Sequence, residues 1–275
     1  MKTILFPTNF SGTSKKAIQN FLSFFLKNGN RETRFILFNA YKRPHIGQSM
    51  LNNISDILAE YSMEDLKREA QEIKMHLGDY KIDFELVSRK GFFYEVLQEF
   101  TEEVHVDLMV MGMKSSNVFR DYVMGNYVLT AVHQINIPTL LLPETDDVFL
   151  PRHIVYATDY QDINNIRDFK KITNVVNALG AKFTFLNIKE KESKEIFTLS
   201  HEIREVLADT NFEVDVVEND HLVKGIVHYI EDKRIDVLAL NEHRESFLNR
   251  YFQVDLSSQF VKLAKFPLLI IHEGD

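Results

Sequence analysis

Gly112 and Gly125 bracket a polar stretch, GMKSSNVFRDYVMGN, that follows the apolar run VDLMVM. A strand that ends in such a loop and feeds a helix can hold a phosphate. Glycine lets backbone N–H groups approach the oxygens, and a helix N-terminus adds partial positive charge. Ser115 and Asn126 supply a hydroxyl and an amide as further donors, and Lys114 and Arg120 could offset phosphate charge. Two glycines also serve a plain strand-to-helix turn, so the residues leave both readings open.

Other chemistry is thinly represented. The chain has no cysteine, which excludes disulfides, thiolate metal sites and a cysteine nucleophile and fits a reducing compartment. Of the ten histidines, His221 and His228 lie seven apart, with Glu231 three further on. A zinc site wants three or four converging ligands, so helix-surface histidines are the better reading. His45 and His133 lack partners for general-base work, and Ser11, Thr13 and Ser14 read as helix-start residues. No nucleophile with a base and an orienting group can be assembled. FLSFF, Phe21 to Phe25, has the spacing of a helix core rather than of a base-stacking surface. The formal charge of -8 argues against nucleic acid as a partner. No apolar run approaches a membrane span and MKTILFPTNF is too soon interrupted for a signal peptide, so a cytoplasmic protein is expected.

The elements that must position the glycine loop occur twice. ILFPTNF from Ile4 reads like IVYATDY from Ile154, and RFILFNA from Arg34 like KFTFLNI from Lys182. VDLMVMG, Val106 to Gly112, reads like IDVLALN, Ile235 to Asn241, and both halves then run without a gap to IPTLLLPE and FPLLIIHE. The second copy is shorter by about 21 residues, lost between YKRPHIGQSMLNNISDILAEYS and KEKESKEIFTLS. PETDDVFLP is the expected linker. Within the first copy, Thr3 to Pro7, Phe35 to Ala40, Phe84 to Ser88, Val106 to Met111 and Thr139 to Leu142 read as buried parallel strands. Ile18, Phe21, Leu22 and Phe25 share one helical face, as do Leu66, Ala70, Ile73 and Leu77, and Phe93, Val96, Leu97 and Phe100. Ser62 and Asp65 read as a helix start. The Tyr41–Tyr61 excursion is expected to be an exposed connection with one short helix, with a lid or a partner contact as alternatives.

ILFPTNFS, VMGMKSS, the GN that follows nine residues later, and IPTLLLPE resemble the universal stress protein family. The resemblance covers essentially the whole chain as two tandem domains, residues 1–145 with a partly retained nucleotide loop and 146–275 with a degenerate one. It implies an α/β fold of two doubly wound domains, each a five-stranded parallel sheet flanked by helices, of the adenine nucleotide alpha hydrolase-like type. Some members bind ATP through a G-x2-G-x9-G-[ST] loop after the fourth strand, and others bind no nucleotide. Carried over, the loop positions are Gly112, Ser115, Gly125 and Asn126, with Met111, Tyr127 and Val128 beside them. Pro7 and Asn9 stand in the first loop, where nucleotide-binding relatives carry an acid facing the adenosine, and Ala40 stands where the backbone faces the base. Ser115, Asn126 and Val128 depart from the family's glycine and hydroxyl residues.

In the second half the same loop positions hold Asn241, Arg244, Val254 and Asp255, so every glycine is gone, although Asp159 keeps the first-loop acid. Charge agrees: 16 basic residues stand against 17 acidic ones before residue 146, and 16 against 23 from residue 146 on, which makes the halves roughly -1 and -7. Nucleotide is expected only in the first half. The resemblance implies a stress-response binding protein that senses ATP or another adenine nucleotide weakly, and not an enzyme, with weak ATP hydrolysis left open. The alternative is a nucleotide-independent interaction scaffold. The closing strands, PTLLLP and PLLIIH, are expected to pair the two halves as an intramolecular pseudo-dimer, with a homodimer of whole chains, no nucleic acid or membrane, and an unidentified protein partner.

Overall fold

The computed structural model describes residues 1–28, 32–42, 51–113, 131–132, 135–145, 148–158, 166–189, 199–242 and 266–272. The described residues before 136 form one compact unit and those from 136 onward a second.

The first unit contains β1 (Thr3–Pro7), α1 (Gly12–Phe25), β2 (Arg34–Tyr41), α2 (Leu51–Leu77), β3 (Phe84–Lys90), α3 (Phe93–Glu103) and β4 (Leu108–Met113). Its strands are parallel, in the order β3-β2-β1-β4. β1 is buried at every residue, which is why TILFP has no polar alternation. α1 starts at Ser11, whose side chain accepts the Ser14 N–H, and buries Ala17, Ile18, Phe21, Leu22 and Phe25. The Phe21 ring meets Phe6 at 5.9 Å and Phe25 at 5.2 Å between centroids, so FLSFF is core.

α2 departs from expectation. It begins at Leu51, and Ser62 is a buried mid-helix residue rather than a cap. Its hydroxyl donates to Asn39 Oδ1 at 2.8 Å and lies 2.7 Å from Ser88 Oγ. A tertiary partner thus satisfies a side chain that in isolation would favour a helix end. The excursion is therefore not a connection with one short helix, because residues 51–61 are the opening turns of a 27-residue helix. Residues 43–50 lie outside the described ones. Leu66, Ala70, Ile73 and Leu77 are buried on the face that the 3.6-residue period indicates.

The second unit contains β5 (Thr139–Pro143), β6 (His153–Thr158), α4 (Ile166–Leu179), β7 (Lys182–Lys189), α5 (His201–Val206), β8 (Phe212–Glu218), α6 (Leu222–Lys233), β9 (Val237–Glu242) and β10 (Leu268–His272). The strand order is β5-β10-β9-β6-β7-β8, parallel except for β5 against β10. In that antiparallel ladder Leu268 pairs with Leu141, Leu269 with Leu140 and Ile270 with Thr139. The closing strand of the first repeat therefore lies in the same sheet as the closing strand of the second.

Two matched aspartates do the same work in each repeat. Asp107 Oδ2 accepts the Lys2 and Thr3 N–H groups at 2.7 and 2.8 Å, and Asp236 Oδ2 accepts those of Arg152 and His153 at 3.0 and 2.9 Å. Each carboxylate thereby ties the start of a first strand to the residues that lead into the fourth. The repeats differ where the second is shorter: α5 has 6 residues against the 27 of α2. Val214 and Val216 of β8 occupy the register positions of Leu86 and Ser88 in β3, and they are 38% and 45% exposed. Among the described residues, no helix is long and apolar enough to cross a membrane.

Candidate functional site

In the first unit the chain leaves β1 in one direction, through β2 to β3, and returns to β4 on the other side. The crevice outside the carboxyl ends of β1 and β4 is therefore the topological switch point, where open α/β sheets hold ligands. Pro7 closes β1, Ala40 is the penultimate residue of β2, and Met111 and Gly112 lie near the end of β4. Leu5 pairs with Met109, so two residues on Pro7 comes level with Met111. Pro7 and Met111 are buried, Ala40 and Gly112 are partly exposed, and Asn9 is exposed. These five expected site residues come together at one end of the sheet. Ser115, Gly125, Asn126, Tyr127 and Val128, with Lys114 and Arg120, lie outside the described residues.

Gly112 has a packing reason of its own. A Cβ there would lie 2.5 Å from the Thr13 carbonyl oxygen, 2.8 Å from its carbon and 3.1 Å from Ser14 N. The first turn of α1 crosses the end of β4 at a distance that only a residue without a side chain permits.

The turn between β1 and α1 is built from side chains. Thr8 Oγ1 accepts the Phe10 N–H at 3.0 Å, and Asn9 Oδ1 accepts the Ser11 N–H at 3.2 Å and the Ser14 hydroxyl at 3.3 Å. Phe10 sits at φ 62°, in the left-handed region that a non-glycine residue seldom adopts. The Asn9 carbonyl is thus spent on the turn, and the group it has to offer a ligand is an amide donor, where a carboxylate would offer only acceptors.

Beneath this turn lies a residue that the sequence reading missed. Glu69 of α2 is 3% exposed, and its Oε1 accepts the Thr8 hydroxyl at 3.0 Å. Burial pushes its carboxyl up, and Glu72 and Asp65 add to the rise, against the Thr8 hydrogen bond and the Lys15 charge. Lys15 itself pairs with Glu72, whose carboxyl is held down by that bond. The available signal was position: Glu69 lies beside the apolar stripe of Leu66, Ala70 and Ile73, one turn from each of the acids Asp65 and Glu72. Next to it Asn39 donates to the Thr8 carbonyl at 2.8 Å, which ties β2 to the end of β1.

The second unit presents a different end. Asn241, in the position of Gly112, is buried in β9. Asp159, Arg244, Val254 and Asp255 lie outside the described residues. His221 precedes α6 as its N-cap residue, so it does not share a helical face with His228. Among the described residues, no group of three or more His, Asp or Glu is placed to hold a metal ion.

A family model described as the universal stress protein family matches residues 1–143. Among solved structures, a universal stress protein from Archaeoglobus fulgidus DSM 4304 is similar over 99% of this chain and 97% of its own, at 17% identity and a TM-score of 0.70. A functionally unknown protein from Pseudomonas aeruginosa PAO1 is similar over 99% of this chain and 92% of its own, at 12% identity and a TM-score of 0.53. At these identities the likeness is one of fold. No curated protein matches the chain.

Proposed function

Since the chain belongs to the universal stress protein family, we propose that it acts by binding, and that its first unit takes an adenine nucleotide at the carboxyl ends of β1, β2 and β4. The observation that carries this reading is the convergence of Pro7, Asn9, Ala40, Met111 and Gly112 at the switch point of that unit. In this reading Ala40 lies against the base, the Asn9 amide donates to the sugar or base, and the loop from Gly112 through Ser115, Gly125 and Asn126 faces phosphate. Met111, Tyr127 and Val128 line the same path. Binding is weak, because a serine replaces one loop glycine and a donor replaces the first-loop acid. The repeats divide the chain into residues 1–145 and 146–275, although β5 of the first repeat groups with the second compact unit, and in this reading only the first repeat takes nucleotide.

Calorimetry with ATP and Mg²⁺ on the native chain and on Gly125→Val tests the reading. Binding that Gly125→Val abolishes supports it, and no heat at millimolar nucleotide overturns it. Phosphate release measured on the same samples tells binding from hydrolysis; turnover lost in Gly125→Val would make the protein a slow ATPase.

The second reading, a nucleotide-independent interaction scaffold, draws on Gly112. Its lack of a side chain is accounted for by the approach of Thr13, with no ligand required. In either reading the antiparallel ladder of β5 and β10 supports a pseudo-dimer in which the closing strands of the two repeats pair. Native mass spectrometry reports retained nucleotide together with monomer or homodimer mass.

A further inference from the structure

Glu69 is only half satisfied in its buried position. Its Oε1 has the Thr8 hydroxyl, but its Oε2 is buried without a hydrogen-bond partner. A bare carboxylate oxygen in that position is expensive, so this packing suits the neutral acid. The charged groups that face it do not resolve the matter. Lys15 of α1 is engaged by Glu72, while Asp65 and Glu72 of α2 oppose a negative charge, and the turn after β1 contributes the Thr8 hydroxyl.

Thr8 connects this acid to the turn. The hydroxyl that donates to Glu69 also accepts the Phe10 N–H, which holds Phe10 at its unfavourable φ, and lies 3.1 Å from Ser14 Oγ. Ser14 in turn anchors Asn9 Oδ1. We propose that Glu69 is a positioning residue for the base of the nucleotide site: through Thr8 it holds the β1–α1 turn and so sets Asn9, and its proton decides whether the turn keeps that form. The proposal rests on the nucleotide reading for its ligand, but the turn can be followed without one.

The balance of the step is simple. Ionisation breaks the Oε2–H bond and passes the proton to solvent. The buried charge then pulls harder on the Thr8 hydroxyl that donates to it and on the Lys15 ammonium, and through Thr8 it reaches Ser14 Oγ at 3.1 Å from Thr8 Oγ1. Ser14 has one hydroxyl proton for the Ser11 carbonyl at 2.9 Å and Asn9 Oδ1 at 3.3 Å, so a change at Thr8 loosens the longer of the two bonds and Asn9 loses an anchor. Raising the pH therefore weakens nucleotide binding by way of the turn.

Amide NMR of the full-length, deuterated chain between about pH 5 and about pH 8 tests this. The Phe10 amide and the Asn9 side-chain amide should titrate together in the native chain. Glu69→Gln keeps an acceptor for Thr8 and cannot ionise, so it should remove the titration; Thr8→Val should remove it with Glu69 intact. A merely structural role would lower thermal stability in both variants and leave the titration in place. In calorimetry with AMP, affinity should fall severalfold more across that pH range in the native chain than in Glu69→Gln, a comparison that cancels the phosphate's own titration. Identical titration in the native chain and Glu69→Gln, or none in the native chain, overturns the proposal. If the turn titrates as expected while AMP fails to bind at any pH, the nucleotide reading falls and the Glu69 linkage stands.

Discussion

A methyl group on Gly112 would press on the Thr13 carbonyl, so Gly112→Ala forces α1 away from β4. The expected cost is about 1–3 kcal/mol, read from urea unfolding, and an unchanged midpoint would mean that α1 can shift freely. The need for a glycine there was legible in the sequence; its cause was not, because it depends on a helix that begins a hundred residues earlier in the chain. Two acids give opposite pH signatures. Glu69 holds its proton more tightly in the fold than its ordinary value of 4.5 allows, so its contribution to stability is greatest in acid and falls as pH rises through the raised value. Glu69→Gln should remove that fall, so the unfolding midpoint of the native chain should drop relative to that of the variant as pH rises above about 4.5. For Asp107 burial opposes ionisation, but the Thr3 and Lys2 N–H groups, with His105 and the N-terminal amine, outweigh it and hold the carboxyl down. Its contribution is therefore present near neutrality and lost as pH falls through the depressed value. Asp107→Ala, which leaves two strand N–H groups without their acceptor, should cost about 1–3 kcal/mol at neutral pH.

Between the repeats, the helix after the second strand differs most. α2 covers its sheet with a buried stripe, whereas α5 is too short to reach the same distance along β8, and Val214 and Val216 stay exposed. Truncating the fully buried Leu66 to alanine should cost about 2–5 kcal/mol, while Val214→Ala should stay within about 1 kcal/mol, both by chemical denaturation. Equal losses would mean that the β8 face is covered as well as the α2 face. Most strands were legible to within two residues, since runs such as TILFP and RFILFNA are apolar on both faces. α2 was harder. Ser62 and Asp65 carry the chemistry of a helix start, and only the contacts of Ser62 with Asn39 and Ser88 explain why the helix passes through them. Glu69 escaped notice for a related reason: an acid in a helix is ordinarily solvated, and its burial depends on Thr8 beneath it.

For the molecule as a whole, the grouping of β5 with the second unit makes a distinct prediction about boundaries. A fragment of residues 136–275 retains the partner of β10 and should remain a monodisperse species in size-exclusion chromatography. A fragment of 146–275 bares Leu268, Leu269 and Ile270 along one edge and should aggregate. Similar behaviour of the two would show that β5 contributes little to the second unit. The repeat made the tandem architecture readable, and the apolar closing strands pointed to each other as partners. Their shared character did not say which unit β5 would join, because an apolar strand of five residues fits either. That ladder also bears on how the chain is made. β5 leaves the ribosome well before Leu268 is added, and at about 5–20 residues per second the wait is on the order of 10 s. During that interval PTLLLP has no strand from β10 to lie against, so the nascent chain carries an adhesive segment whose antiparallel partner is made only after the rest of the second repeat.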